Sequence, residues 1–190
     1  RDLRMSRGLG DVYKRQDLGI AGNTNAALAM TEGEFAGILD HDDLLAPNAL
    51  YEIALALEKD PELDAVYTDE DKVTTDLSEH FQPHLKPDFN LDLLRSNNYI
   101  CHFCVINRKI VTEAGGFRSE YDGAQDYDLF LRCVDKCKVI EHVDKILYHW
   151  KSGENSTSGN PFNKQYAFDA GRRLSLIHIS EPTRHAQISY

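Results

Sequence analysis

A short apolar run, Phe35-Ala36-Gly37-Ile38-Leu39, ends abruptly in Asp40-His41-Asp42-Asp43, and no other stretch limits the fold as strongly. The run reads as a buried strand. Three carboxylates in four positions repel one another unless a cation or hydrogen-bond donors compensate them. The turn that follows a strand is also where open α/β sheets place their ligands. Pro47 suits the first turn of a helix whose Leu50, Ile53, Ala54 and Leu57 share one face at i, i+3, i+4, i+7. The pattern then repeats, because Asp64 to Thr68 is a second strand candidate and ends in Asp69-Glu70-Asp71.

The other elements follow from the same signals. Residues 23–31 have helical composition and stop at Glu32-Gly33-Glu34. Residues 72–98, with Pro83 and Pro87, lack a sustained period and predict a long functional loop. Phe103 to Ile106 reads as a strand, and Arg108 to Glu113 as a short helix stopped by Gly115-Gly116. Phe130, Val134 and Cys137 mark a helix from about Asp126 to Cys137. Val139 to Val143 and Ile146 to Trp150 are the last strand candidates, and the Ser/Gly/Asn-rich stretch from Lys151 to Asn160 predicts a mobile loop.

Neither end of the chain continues these periods. Leu174 to Ile179 can be encoded by CTG TCT CTT ATA CAC ATC, whose reverse complement encodes Asp11 to Gln16. One piece of DNA read on opposite strands therefore accounts for both hexapeptides, and it resembles a transposase adapter. Residues 1–16 and 174–190 are accordingly expected to be non-native, with residues 17–173 the C-terminal part of a single catalytic domain. Removing those ends removes more bases than acids, so the natural segment is more acidic than the formal −10 of the whole chain. Such a field repels nucleic acid and anionic membrane surfaces. No apolar run approaches the roughly 18 residues of a membrane-spanning helix, and no leader resembles a secretory signal. The expected compartment is the cytoplasm.

The acid cluster after residue 39 fits a hard divalent ion, Mg²⁺ or Mn²⁺, held by one or two carboxylates together with substrate phosphate. A calcium EF-hand is excluded, since position six from Asp40 is Leu45 and position twelve is Tyr51. The competing reading is a solvated acidic turn that caps the Pro47 helix. A second constellation, Gly123-Ala124-Gln125-Asp126-Tyr127-Asp128-Leu129, is a glycine-led turn entering a helix. Attraction to the helix dipole explains one first-turn carboxylate; Asp126, beside Gly123 and Gln125, has room to face a cleft as a general base. Cys101-x-x-Cys104 and Cys133-x-x-x-Cys137 have the look of a zinc site. An offset of three along a strand points Cys101 and Cys104 to opposite faces, so reduced, partly buried thiols are expected.

Asn25-Ala26-Ala27, Gly33-Glu34-Phe35, Leu39 to Asp43 and Pro47 to Leu50 together resemble the donor-site segment of family 2 glycosyltransferases. Tyr67 to Lys72, Lys86-Pro87-Asp88, Asn98-Tyr99-Ile100, Gly115-Gly116-Phe117, Gly123 to Leu129 and Leu147 to Trp150 follow in the order seen in bacterial polysaccharide and O-antigen-type members. The resemblance implies a partial GT-A (Rossmann-like) α/β fold, with a mixed, mostly parallel sheet, flanking helices and the N-terminal strands missing. It implies inverting, metal-dependent transfer from a nucleotide-diphosphate sugar to a glycan or lipid-linked acceptor in surface polysaccharide biosynthesis. It casts Asp126 as the catalytic base and Asp40, Asp42, Asp43 and Asn25 as the donor and diphosphate site. Asp42, Asp40 and His149 become the metal ligands, with a strand histidine as the plain alternative for His149. Gly116, Phe117 and Gln125 fall on the acceptor side, and Gln125 stands where the family often has Glu. The full-length parent would be cytoplasmic or peripheral at the inner face of the cell membrane. Two other classes compete: a nucleotidyltransferase, which the absence of a Gly-rich, Lys/Arg-bearing phosphate loop disfavours, and a non-catalytic acidic module that binds cations or glycans.

Overall fold

The structure is a computed structural model that describes residues 18–152 and 169–174. Most of the stretch from Lys151 to Asn160, expected to be a mobile loop, lies outside the described residues. The elements in order are α1 (Gly19–Ala29), β1 (Phe35–Gly37), β2 (Leu44–Leu45), α2 (Ala49–Lys59), β3 (Ala65–Thr74), β4 (His80–His84), α3 (Leu91–Ser96), β5 (Cys104–Asn107), α4 (Arg108–Glu113), a 3₁₀ turn (Ser119–Tyr121), α5 (Gln125–Val134) and β6 (Ile140–Ser152). Arg108 to Glu113 forms the helix its sequence predicts.

Six strands make one sheet in the order β1-β5-β3-β6-β2, with β4 added beside β3. It is mixed, as expected, but its directions correct the expectation of a mostly parallel sheet. Only β3 and β6 run parallel among the described pairs; β1 with β5, β5 with β3, β6 with β2 and β3 with β4 are antiparallel. A short apolar run reports that both faces of a strand are covered, which helices can do for either direction. Strand direction was therefore never encoded in the runs.

Strand alternation divides the core in two. Ala65, Tyr67, Cys104 and Ile106 face α1, α4 and α5 through Ala21, Ile110, Val111, Leu129 and Phe130. Val66, Phe103, Val105 and Tyr148 face α2 through Ile53 and Ala56. The buried stripe of α2 is Ala49, Ile53 and Ala56, whereas Leu50 is exposed. The predicted stripe led by Leu50 and Ala54 is thus rotated, because the helix carries two overlapping apolar stripes and the one with alanines permits the closer approach to the sheet.

The predicted loop over 72–98 contains β4 and α3. β4 is an exposed edge strand paired to β3 alone, so it lacks the alternation of a half-buried strand. α3 is a short helix capped by the Asn90 side chain, which accepts from the Leu93 N–H at 2.9 Å. The two strands expected over 139–150 are one long β6, and its pairing with β3 slips at Asp144-Lys145 as a bulge. Conversely α5 stops at Val134, one turn before Cys137. Among the described residues no helix is long and apolar enough to cross a membrane.

Candidate active site

Asp40 to Asp43 form a tight turn between β1 and β2, closed by the Asp43 N–H donating to the Asp40 carbonyl at 3.2 Å. The three acids diverge in role. Asp43 points inward, accepting from the Tyr148 hydroxyl at 2.5 Å and the Lys151 N–H at 2.8 Å. Burial pushes its pKa above the usual carboxylate value, and the two donors only partly offset that. Asp42 faces solvent, with His41 Nδ1 at 3.7 Å. Asp40 is half exposed, and its Oδ2 lies 3.9 Å from His102 Nε2. None of these carboxylates bonds the first turn of α2, so the helix-capping explanation of the cluster fails.

Asp126 opens α5 after the left-handed Gly123, where the helix N-terminus favours an anion. Its Oδ2 accepts from Gln125 Nε2 at 3.3 Å, while Gln125 Oε1 takes the Gly123 N–H at 2.6 Å. Ligand atoms of Asp126, His102 and Cys101 lie within 4.8 Å of one another. Burial raises the Asp126 pKa to about 6; His102 pulls it down and Asp40 pushes it up. The two sequence constellations therefore meet across one imidazole.

That imidazole is held from beneath. His102 stacks on Tyr148 with ring centroids 4.9 Å apart, and its backbone N–H donates to Glu70 Oε2 at 2.5 Å. Burial works against a charged ring, but Glu70, Asp40 and Asp126 outweigh it and raise the His102 pKa. Glu70 also accepts from His84 at 3.2 Å and lies 3.6 Å from the buried Lys86 Nζ. Lys86 Nζ in turn donates to the carbonyls of Ile100 and His102, pinning the segment that carries the imidazole. Sequence reasoning assigned no role to His102, Glu70 or Lys86. The available signal was the second strand ending in acids, a repeat of the first.

The remaining site candidates fall elsewhere. Asn25 is a strut: its Nδ2 donates to the Phe117 carbonyl and its Oδ1 accepts the Phe117 N–H, both at 2.8 Å. Phe117 is buried in the core. Gly116 has φ +66°, and a Cβ there would stand 2.6 Å from Asn25 Oδ1, so the position combines a left-handed backbone with close packing. His149 is not joined to Asp40 or Asp42. Alternation along β6 sends Tyr148 toward Asp43 and His149 the other way, where its Nδ1 meets Asp71 Oδ1 at 2.6 Å. The four cysteines are free, and burial raises all four thiol pKa values, Cys133 and Cys137 to about 12. Cys104 lies near Cys133 and Cys137 while Cys101 lies near Asp126, which removes the four-cysteine zinc reading.

Residues 6–115 match the family model described as glycosyl transferase family 2. The chain belongs to that family. Among curated relatives, an uncharacterized protein, y4gI, of Sinorhizobium fredii is 39% identical over 84% of this chain. The O-antigen biosynthesis protein RfbC of Myxococcus xanthus is 37% identical over 87% of it. The chain spans 18% and 13% of the lengths of these two relatives. Among solved structures, S. aureus TarS (1-349) in complex with UDP-GlcNAc superposes with a TM-score of 0.62 at 17% identity, covering 86% of this chain and 47% of that one. The shared arrangement is a GT-A type α/β fold, represented here in part. Within this family 2 chain, the Asp40 and Asp42 carboxylates and that of Asp126 at the start of α5 have no Lys or Arg partner among the described residues.

Proposed function

We propose that residues 17–173 belong to the catalytic domain of an inverting, metal-dependent glycosyltransferase of surface polysaccharide biosynthesis. It moves a sugar from a nucleotide-diphosphate donor to a hydroxyl of a glycan or lipid-linked acceptor. The observation that carries this reading is the convergence of Asp40 and Asp126 on His102. A donor-side acid and a poised base held on either side of one imidazole suit a direct displacement at an anomeric carbon. A base with a pKa near 6 is ionised at neutral pH and still able to take a proton.

In this reading Asp126 removes the acceptor hydroxyl's proton, and Gln125 steadies the carboxylate that receives it. Asp40 and Asp42 suit a hard cation, being accessible oxygen donors whose described partners are imidazoles alone. Mg²⁺ or Mn²⁺ held by them would offset the charge that builds on the departing diphosphate. Asp43 shapes the turn instead of touching the donor, and Asn25, Gly116 and Phe117 brace the wall behind α5. The UDP-GlcNAc bound by TarS makes a uridine diphosphate sugar the first donor to try.

The test is a donor screen on the parent protein, read as nucleoside diphosphate release. Release that needs acceptor and divalent ion, and that disappears in Asp126→Asn while donor binding persists, is the expected result. Pyrophosphate release instead would make the protein a nucleotidyltransferase. Metal binding without turnover of any sugar nucleotide would reduce it to a binding module.

A further inference from the structure

Among the described residues Lys86 is the one buried Lys or Arg, and adjacent acids of β3 hold it at both ends. Its backbone N–H donates to Asp69 Oδ1 at 2.8 Å, and its Nζ stands 3.6 Å from Glu70 Oε2. Nζ also donates to the carbonyls of Ile100 at 3.1 Å and His102 at 2.5 Å. We propose that Lys86 is the positioning residue of the cleft: gripped by Asp69 and Glu70, it fixes the backbone on either side of Cys101 and so the place of the His102 imidazole between Asp40 and Asp126. Its consequence for catalysis rests on the transferase reading of that cleft.

Three observations support the assignment. The first is how loosely the ring itself is held. Among the described residues His102 Nδ1 has no hydrogen-bond partner, with Glu70 Oε2 at 3.6 Å, and Nε2 is 3.9 Å from Asp40 Oδ2. Stacking on Tyr148 sets the plane of the ring but lets it slide. Its position is therefore left to the backbone, which Glu70 holds by the His102 N–H and Lys86 by the carbonyls. The second is the anchor. Asp69 Oδ1 lies 2.8 Å from His142 Nε2, and the His142 ring stacks on Tyr67 with centroids 4.9 Å apart. The Tyr67 hydroxyl donates to the Pro87 carbonyl at 2.6 Å, one residue beyond Lys86. β3, β6 and the Lys86-Pro87 segment thus form one braced base from which the amine projects. The third is the chemistry of the group. An ammonium has three N–H donors, and two carbonyls and one carboxylate surround it. Burial penalises a cation, so an apolar side chain of the same length would fill this space with less penalty; it could not hold the two carbonyls.

A reacting group displaced by about 1 Å can cost about a hundredfold in rate. Lys86→Met keeps the length of the side chain and removes its donors. In the parent protein it should lower kcat for nucleoside diphosphate release by about 10–100-fold, with the donor KM within about twofold of its original value. Val66→Ala, a truncation in the core beneath α2, should lower the melting temperature at least as much while kcat stays within about twofold, which separates positioning from loss of stability. Where far-UV circular dichroism shows Lys86→Met unfolded, Glu70→Gln takes its place with the same expected split between kcat and KM, since it keeps the shape of Glu70 and removes the charge facing the amine.

A second readout needs no sugar nucleotide. The imidazole C–H resonances of His102 in the 190-residue chain, assigned with His102→Gln, should move in Lys86→Met, while those of the exposed His41 stay in place. Unmoved His102 resonances, a kcat within about twofold of the unmodified protein, or an equal loss of kcat in Val66→Ala overturns the proposal. A parent that transfers no sugar overturns the transferase reading alone, and the resonances then decide whether Lys86 sets the ring.

Discussion

Asp126 and Asp128 lie two residues apart at the start of one helix, and the protein treats them in opposite ways. Asp128 is 1% exposed and surrounded by cations: Arg118 reaches both of its oxygens, and Arg132 Nε and Nη2 donate to Oδ2 at 3.1 and 2.6 Å. Arg132 continues to the carbonyls of Ala114 and Gly116, tying α5 to the loop after α4. Asp126 has one long bond from Gln125 and a neighbouring imidazole. Burial with full compensation makes a brace, and burial without it makes a reactive group. The Asp40 to Asp43 turn repeats the contrast, with Asp43 bonded inward and Asp42 left to solvent.

The sharpest way to break this comparison is to neutralise each acid of α5 in turn. Asp126→Asn in the parent protein should lower kcat by about 10²–10⁴ with donor affinity nearly unchanged, as expected for loss of a general base. Asp128→Asn should do the reverse. It leaves the part-buried Arg132 and the more exposed Arg118 short of their anion and should cost about 1–3 kcal/mol of stability in urea unfolding. If Asp128→Asn folded normally and Asp126→Asn transferred sugar normally, the division between brace and base would be void.

A pH profile probes the same carboxylate without a mutation. A base with a pKa of about 6 must be ionised to act, so kcat/KM should fall roughly tenfold per unit below that pH and level off above it. The stability consequence has the opposite sense. The folded pKa lies above the ordinary 3.8, so whatever Asp126 contributes to stability is fully present below about 3.8 and is lost as pH rises through 6. At pH 7 the native chain therefore carries the penalty, and Asp126→Asn should be more stable by about 1–3 kcal/mol. That gain should shrink as pH falls through 6 and vanish below about 4. A stability gain that persists at pH 3.5 would point to packing instead of charge.

How far the sequence could reach is visible in the same residues. The acids announced themselves by density and by position after an apolar strand, and Gly123 announced the entry to α5. The sequence could not say which acid of each group would be compensated, because the compensating partners are far away: Tyr148 and Lys151 for Asp43, Arg118 for Asp128. His102 was invisible for the same reason. It sits in an irregular segment without period, and only the fold brings Glu70 and Lys86 beneath it. His149 shows the limit of position along the chain. Its register opposite Leu44 is close to the acid turn, yet strand alternation sends its ring to Asp71. The elements themselves were legible in the longer apolar runs and missed where they were polar, as in β4, or short, as in β2 and α3.

The weakest expected effect tests the exposed end of the comparison. His41 stands between two acids, and chain proximity alone would nominate it as a ligand or a charge partner. Its side chain is almost fully exposed, and its contact with Asp42 spans 3.7 Å between two groups in water. Pairs of that kind contribute little, since solvent screens the charge and the side chains lose entropy on meeting. His41→Ala should therefore change the melting temperature by no more than about a degree or two, and should leave the divalent-ion dependence of transfer where it was. Asp42→Ala, one residue along, should shift that dependence to higher ion concentration with equally little effect on melting. If the two variants behaved alike, solvent exposure would not separate ligand from bystander in this turn, and the assignment of Asp42 would have to be given up.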